Sequence, residues 1–315
     1  MNKKESAETV LVLGGSGLLG YHCVVELSKQ YNVIQTYNRN IVSDRNSEYF
    51  AWNDIKDLEG LLIRHKPSAI VNTIAYVTVD GCEDNPKMAE NLNAKFISHL
   101  IKAMTKVGLS NSHLIQISSA SVYGNYKNKP IPWKETDETN PISIYAKTKL
   151  EGELNAQKHS GPVSILRTDF YGINPRSEKS LLWKIIDYAT SGKTMEGWQN
   201  VYFSPVSCWR ISRIIADIIN YQIEGVYNVG CNHECTKHEF AEIVYKSIGI
   251  EGKVKKITLD QGERAIRPDY TVLNSSQLNS VIDADYSLLD DLEFYMKNLP
   301  TFPDKTNFFN KDKRN

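Results

Sequence analysis

The sequence predicts an α/β protein built on a doubly wound parallel sheet, with a smaller mixed lobe formed by the C-terminal half. Three observations carry this prediction. Short apolar runs alternate with segments of helical apolar spacing through the first half of the chain, a glycine-rich turn follows the first run, and the alternation loosens after about Tyr171. Strands and helices that alternate in this way form parallel βαβ units.

The predicted elements follow one another in a regular order. In the first half, strands are expected at 10–13, 33–37, 69–74, 113–118 and 163–168, and helices at 18–27, 54–65, 86–107 and 143–159. The segment 86–107 has Pro86 in its first turn and Gly108 just past its end, which is the usual asymmetry of a helix. In the second half, helices are expected at 181–191, 211–221, 238–248 and 288–299, and strands at 202–206 and 226–229.

The composition argues against several classes of function. The 315 residues include 37 basic and 37 acidic ones, so no net charge attracts nucleic acid or an acidic membrane. No apolar run reaches membrane-spanning length and residues 1–5 lack the apolar stretch of a signal peptide, which predicts a cytoplasmic protein. The five scattered cysteines are expected to be reduced thiols. Cys231, Cys235 and His238 do not have the spacing of a zinc site, and we expect no metal.

A glycine-rich segment lies between the first strand and the first helix, where Gly14, Gly17 and Gly20 are three residues apart. Small residues here let the backbone turn tightly and approach a pyrophosphate at the amide-rich N-terminus of the helix. The sequence therefore predicts a dinucleotide-binding Rossmann domain. We place it at 1–172, followed by a smaller substrate-binding lobe at 173–303 with some segments returning to the sheet, and a frayed tail at 304–315.

The end of the second strand indicates which dinucleotide binds. An acidic residue there would hold a ribose 2′-hydroxyl, whereas a basic residue suits a 2′-phosphate. The segment 36–40 contains Asn38 and Arg39 and no acid. This pattern favours NADP, bound as NADPH, and leaves NAD open.

The candidate catalytic residues are Ser119, Tyr145 and Lys149. Tyr145 and Lys149 are four apart on a predicted helix, so both side chains can point into one cleft. We expect the ammonium to lower the tyrosine pKa from about 10, which would make the phenol a usable acid or base near neutral pH. A serine hydroxyl from the neighbouring strand end could polarise the carbonyl oxygen that Tyr145 protonates.

With these motifs in place, the chain resembles the extended short-chain dehydrogenase/reductases, and within them the dTDP-4-dehydrorhamnose reductase branch. The segment 145–153, YAKTKLEGE, is close to the YGKTKLxGE of that branch. The other matching segments, in chain order, are 10–20, 67–76, 79–86, 93–94, 116–124, 166–172 and 267–274. The resemblance covers nearly the whole chain.

The resemblance implies hydride transfer from a nicotinamide to the 4-keto carbon of a nucleotide-linked deoxysugar. Tyr145 would deliver the proton, Ser119 would complete the catalytic set, and Lys149 would also hold the nicotinamide ribose. The residues implied to surround the cofactor are Gly14, Gly15, Ser16, Gly17, Leu18, Leu19, Gly20, Asn38, Arg39, Asn72, Ala75, Tyr76 and Thr168.

Substrate contacts are expected at Tyr123 and Arg267. Further cations that could hold a nucleotide diphosphate are Arg176, Lys179, Arg210 and Arg264, and the tryptophans that could stack a base or sugar, although core packing is the expected role of each, are Trp183, Trp198 and Trp209. The substrate would be a nucleotide sugar, and a homodimer stays open.

Two departures from the family pattern bear on the reaction. Ala120 stands where many reductases of the branch have an aspartate, and a missing acid here weighs against a 4,6-dehydratase. Relatives often have an aspartate that reaches the adenine at a position near the segment 51–54. In this chain an acidic residue matches that position only if the alignment is shifted. A sugar-nucleotide epimerase with retained NAD and a non-catalytic NADP-binding regulatory subunit both remain as alternatives to a reductase.

Overall fold

The computed structural model describes residues 8–40, 42, 46–125, 131–260 and 265–298. Its strands are β1 (Thr9–Leu13), β2 (Asn32–Tyr37), β3 (Ser47–Tyr49), β4 (Ala69–Asn72), β5 (His113–Ile117), β6 (Val163–Thr168), β7 (Phe170–Tyr171), β8 (Met195–Trp198), β9 (Tyr202–Phe203), β10 (Val206–Ser207), β11 (Gly225–Val229), β12 (Cys235–Thr236), β13 (Val254–Ile257) and β14 (Tyr270–Thr271). Its α-helices are α1 (Leu18–Leu27), α2 (Ile55–His65), α3 (Val79–Asp84), α4 (Pro86–Glu90), α5 (Phe96–Lys106), α6 (Ile144–Ala156), α7 (Leu181–Thr190), α8 (Cys208–Tyr221), α9 (Lys237–Ser247), α10 (Ser276–Asn279) and α11 (Leu288–Asn298).

The largest sheet of the described residues has seven strands in the order β11-β6-β5-β4-β1-β2-β3. All neighbours in it are parallel. Because β1 pairs with β2 on one side and with β4 on the other, the chain order reverses at β1. A crevice therefore opens beyond the carboxyl ends of β1 and β4, where ligands of such sheets bind. The predicted doubly wound α/β fold class is confirmed.

Strand β1 illustrates how the sheet is covered on both faces. Val10 and Val12 are buried in one apolar cluster with residues of α1 and α8, whereas Leu11 and Leu13 are buried in a second cluster with residues of α2 and α5. Successive side chains of a strand point to opposite faces, so a strand buried on both sides needs an uninterrupted apolar run. Burying each such side chain contributes about 1.5–3 kcal/mol.

The helix predicted at 86–107 forms as one continuous helical segment, 86–106, that contains a π-helical turn. Between α4 and α5 the chain makes a π-helical turn, Asn91–Lys95. This wider turn lets Asn93 accept a hydrogen bond from the Tyr76 backbone N at 2.8 Å and donate to Thr148 Oγ1 at 3.0 Å. The turn thereby ties the loop after β4 to α6, a tertiary role that helix propensity does not reveal.

The second half of the chain contributes to the main sheet, because β11 pairs in parallel with β6. The single strand expected at 202–206 is instead two strands, β9 and β10, in different sheets. Pro205 has no amide hydrogen for a ladder, and Ser204 Oγ instead accepts a hydrogen bond from the Leu273 backbone N at 2.9 Å. The division at residue 172 stays a prediction, and the segment 304–315 lies outside the described residues.

All five cysteines are buried and unpaired. Among the described helices, none combines the length and the apolar character needed to cross a membrane.

Candidate active site

The turn between β1 and α1 has the geometry of an anion-binding turn. Gly14 has a φ of +83°, which L side chains rarely adopt, and its backbone N donates to Thr36 Oγ1 at 2.9 Å. A Cβ at Gly20 would lie 2.2 Å from the Gly14 carbonyl oxygen, so glycine is needed for α1 to approach the turn this closely. Gly17, the N-cap of α1, has no side chain to bond the first amide groups of the helix. These groups remain for a ligand or water.

A cavity of about 750 Å³ adjoins this turn. The predicted cofactor residues that line it are Gly14, Ser16, Gly17, Asn38, Arg39, Ala75 and Tyr76. The side chain of Arg39 is exposed, and no acidic residue is among the described residues of the cavity wall. A crevice of this size and position, with a glycine turn at its base, fits a dinucleotide.

The cavity wall also includes residues that the sequence analysis did not name as cofactor contacts. They lie at or after the carboxyl ends of β2, β3 and β4 and on α4, the π-helical turn and α5, and they include Thr36, Phe50, Trp52, Asn53, Thr73, Met88, Leu92 and Phe96. The rule that such strand ends meet at one edge could have identified Thr36 and Thr73. Phe50, Trp52 and Asn53 depend on the course of the chain after the edge strand β3, and Met88, Leu92 and Phe96 depend on how the helices after β4 pack, which no local pattern encodes.

Six predicted cofactor residues do not line this cavity, namely Gly15, Leu18, Leu19, Gly20, Asn72 and Thr168. Asn72 is fully buried, donates to Gln116 Oε1 at 2.8 Å and accepts from the Ile74 backbone N at 3.2 Å, so it orders the loop after β4. Thr168 is buried at the end of β6, and its Oγ1 has no hydrogen-bond partner within the described ranges. Direct cofactor contact by these six residues stays a prediction.

The structure brings Ser119, Tyr145 and Lys149 together at the carboxyl end of β5. Helix α6 begins just after Ser143, whose Oγ accepts a hydrogen bond from the Ala146 backbone N at 3.2 Å. Lys149 is 4 % exposed, and its Nζ donates to the Ile117 carbonyl oxygen at 2.6 Å. Tyr145, one turn earlier, hydrogen-bonds with the Ser119 side chain. Both side chains of α6 therefore reach the same three residues of the chain, 117–119.

The protonation of Tyr145 differs from the prediction. Burial raises its pKa to about 12 and outweighs the hydrogen bond with Ser119, which acts in the opposite direction. The predicted lowering of the tyrosine pKa is wrong: burial raises this pKa most, Asp169 and Cys82 raise it further, and Lys149, whose amine is bound to the Ile117 carbonyl, is not among the groups that lower it. At neutral pH Tyr145 is therefore a neutral phenol, the form that can donate a proton.

Tyr123, a predicted substrate contact, is fully buried. Its hydroxyl accepts from Arg167 Nη1 at 2.9 Å and donates to Asn228 Oδ1 at 2.9 Å, and its ring stacks on Trp133 with centroids 4.9 Å apart. Direct substrate contact would require these interactions to open. Ala120 lies in the same apolar cluster, where an acidic side chain would be buried.

Two of the candidate substrate cations are engaged within the protein. Arg267 Nη2 lies 2.7 Å from Asp80 Oδ2, which joins the segment before β14 to α3. Arg210 Nε lies 3.4 Å from Asp291 Oδ1, and its guanidinium is 4.7 Å from the centroid of the Tyr286 ring. Direct substrate contact by either cation stays a prediction.

The other candidates are more scattered. Arg176 and Lys179 are exposed, and Arg264 lies outside the described residues. Trp183 packs against the large apolar cluster, and Trp209 stacks on Phe294 with centroids 3.9 Å apart, whereas Trp198 is half-buried in β8. Within the described ranges, no group of three or more His, Cys, Asp or Glu side chains could hold a metal ion.

Sequence comparison relates the chain to known proteins over most of its length. The profile of the RmlD substrate binding domain family matches residues 8–289. A dTDP-4-dehydrorhamnose reductase of Salmonella typhimurium is 26% identical over 245 residues, which are 75% of this chain and 77% of the relative. Methionine adenosyltransferase 2 subunit beta of Bos taurus is 26% identical over 286 residues, which are 86% of this chain and 82% of the relative.

Solved structures share the fold. A dTDP-4-dehydrorhamnose reductase from Clostridium acetobutylicum superposes with a TM-score of 0.76 at 25% identity and covers 93% of this chain and 99% of its own. A UDP-glucose 4-epimerase from Thermus thermophilus, in complex with NAD, superposes with a TM-score of 0.76 at 18% identity and covers 92% of this chain and 98% of its own. The second likeness concerns the fold alone.

Proposed function

Because the chain belongs to the RmlD substrate-binding-domain family, we propose that it is an NADPH-dependent reductase of a nucleotide-linked 4-keto-6-deoxysugar. The observation that carries this proposal is the meeting of Ser119, Tyr145 and Lys149 at the end of β5, on the sheet edge that also bears the glycine turn. The relatives named dTDP-4-dehydrorhamnose reductase support the substrate class.

The roles of the three residues follow from their protonation. A bound nicotinamide cofactor supplies the hydride that reduces the sugar carbonyl carbon. Tyr145, neutral because burial raises its pKa to about 12, donates its phenolic proton to the carbonyl oxygen. Ser119 hydrogen-bonds that oxygen and keeps the phenol oriented, and the ammonium of Lys149 stabilises the phenolate that remains.

The preference for NADPH rests on the end of β2. Asn38 and Arg39 line the cavity there, and the guanidinium of an exposed arginine can pair with a 2′-phosphate. A dTDP-4-dehydrorhamnose reductase from Bacillus anthracis, which shares the fold, was solved in complex with NADP. The cytoplasmic location and the homodimer considered above stay predictions.

The test is NADPH oxidation by the purified protein with dTDP-, UDP- and GDP-linked 4-keto-6-deoxysugars. We expect turnover with at least one of them, and we expect Tyr145→Phe to lower kcat by about 10²–10⁴-fold while the Kd for NADPH is unchanged. Tyr221→Phe, at an exposed position of α8, is the matched control and should behave as wild type. No NADPH oxidation with any of these sugars would refute the proposal.

A second candidate is a regulatory NADP-binding subunit. The similarity to a protein named as the beta subunit of methionine adenosyltransferase 2, over 286 residues, favours it. Tyr145→Phe separates the two, because a regulator should keep both its cofactor affinity and its effect on a partner enzyme. An epimerase would instead interconvert sugars with no added cofactor.

A further inference from the structure

A buried charge pair lies directly behind Lys149. Glu153 is one turn further along α6, and it is 1 % exposed. Arg167 of β6 donates to this carboxylate from Nε, at 3.1 Å to each oxygen, and from Nη2, at 2.8 Å to Oε2. Ser118 Oγ, at the end of β5, donates to the same carboxylate. Removing two charges from water costs free energy, which their mutual attraction need not offset. The burial of this pair is therefore weak evidence that its only role is to stabilise the fold.

The Arg167 guanidinium is fixed from its far side as well. Its Nη1 donates to the Tyr123 hydroxyl at 2.9 Å, and its central carbon is 4.9 Å from the centroid of the Tyr123 ring. The Tyr123 hydroxyl donates in turn to Asn228 Oδ1, and Asn228 Nδ2 donates to the Trp133 carbonyl oxygen at 2.7 Å. The main donor to the Glu153 carboxylate, Arg167, is therefore itself fixed in place by Tyr123.

Ser118 directly follows Ile117, whose carbonyl binds the Lys149 amine, and it donates to the carboxylate of Glu153, which lies one turn from Lys149 on α6. Glu153 is also the acidic group that acts on the pKa of Lys149. Its negative charge favours the ammonium and opposes the larger effect of burial, which lowers the pKa of Lys149 to about 8. The other titratable groups near the three catalytic residues act elsewhere: Cys82 of α3 and Asp169 after β6 raise the pKa of Tyr145. Glu135 Oε1 accepts a hydrogen bond from the Asn228 backbone N at 2.7 Å, and Glu135 raises the pKa of Tyr123. Each nitrogen of Arg167 donates to Glu153 or to Tyr123.

We propose that Glu153 is a positioning residue for catalysis: its carboxylate, fixed by Arg167 and Ser118, keeps the Lys149 amine charged and bound to the Ile117 carbonyl. This role rests on the proposed function of Lys149 in carbonyl reduction. The carboxylate itself touches neither substrate nor cofactor. Its effect is exerted through Lys149.

The direct test is the titration of the Lys149 side chain by ¹⁵N NMR of lysine-labelled protein, assigned by the signal lost in Lys149→Met. In Glu153→Gln we expect the midpoint to fall by about one pH unit or more, because the variant lacks the opposite charge. The alkaline limb of the kcat/KM profile should shift by the same amount. The kcat/KM of the variant should then be about fivefold below wild type at pH 8 and about tenfold below it at pH 9, with little change at pH 6. Glu151→Gln, exposed on the same helix, is the control and should shift neither.

A second variant separates positioning from folding. The double variant Glu153→Gln/Arg167→Met lacks both buried charges. Unlike Glu153→Gln alone, it therefore leaves no unpaired ion in the protein interior. A purely structural pair predicts that this double variant regains both its melting temperature and the wild-type midpoint of Lys149, whereas our proposal predicts recovery of the melting temperature with the midpoint still low. An unmoved midpoint in either variant overturns the proposal. The NMR titration needs no turnover, so it remains decisive even if no sugar is reduced.

Discussion

The cofactor crevice and the catalytic end of β5 keep their geometry by different means. The crevice is built mainly from backbone, with a positive φ at Gly14 and a helix that approaches this turn at Gly20. An exposed arginine, Arg39, lies at its rim. The catalytic end is built from buried side-chain charges, in which Lys149 and Glu153 are at most 4 % exposed. The crevice should therefore be sensitive to added volume, and the catalytic end to a change of charge.

The largest effect is expected for Arg167→Met. The variant leaves the Glu153 carboxylate buried without its main partner, and we expect the free energy of unfolding to fall by about 3–5 kcal/mol. Urea denaturation followed by circular dichroism measures this change. Lys147→Met removes an exposed positive charge from α6 and should stay within about 0.5 kcal/mol of wild type. Equal losses in the two variants would contradict the contrast between a buried and a solvated charge.

A smaller effect is expected for Gly20→Ala. The added methyl group would meet the Gly14 carbonyl oxygen at 2.2 Å, so the turn must shift, which we expect to cost about 1–3 kcal/mol and to weaken NADPH binding. Thermal unfolding and a fluorescence titration with NADPH measure the two effects.

Gly60→Ala is the matched control for this variant. A Cβ at Gly60 in α2 would meet only the end of the Arg64 side chain, at 3.2 Å. Since alanine is the better helix former, we expect a gain of about 0.5–1 kcal/mol. If Gly20→Ala were as stable as Gly60→Ala and bound NADPH normally, the crevice would not depend on close backbone contact.

The smallest effect is expected for Arg39→Ala. The loss of one exposed cation should weaken NADPH binding by about tenfold, or about 1.4 kcal/mol, and leave NADH binding unchanged. The ratio of the two dissociation constants is the measurement, and NADH serves as the internal control. The same loss for both cofactors would show that Arg39 contacts a part that they share.

The sequence revealed the backbone side of the site more fully than the charged side. The spacing of Gly14, Gly17 and Gly20 is local, so it could be read directly, as could the shared helix face of Tyr145 and Lys149. The pKa direction of Tyr145 could not, because helix spacing says nothing about access of water. The proposed positioning role of Glu153 could not be predicted from the sequence, because it depends on the ion pair with Arg167. Arg167 lies on β6, and only the folded sheet places this strand beside α6.

Strand β11 imposes an order of assembly on the protein. Asn228 in β11 completes the hydrogen bonds around Tyr123, although the two residues are 105 positions apart. During synthesis, which proceeds from the N-terminus, β6 has an unpaired edge until β11 emerges. An open edge of this kind invites pairing with other chains. A fragment that ends at residue 172 should therefore aggregate, and the nascent protein is most in need of a chaperone while residues 173–229 are being made.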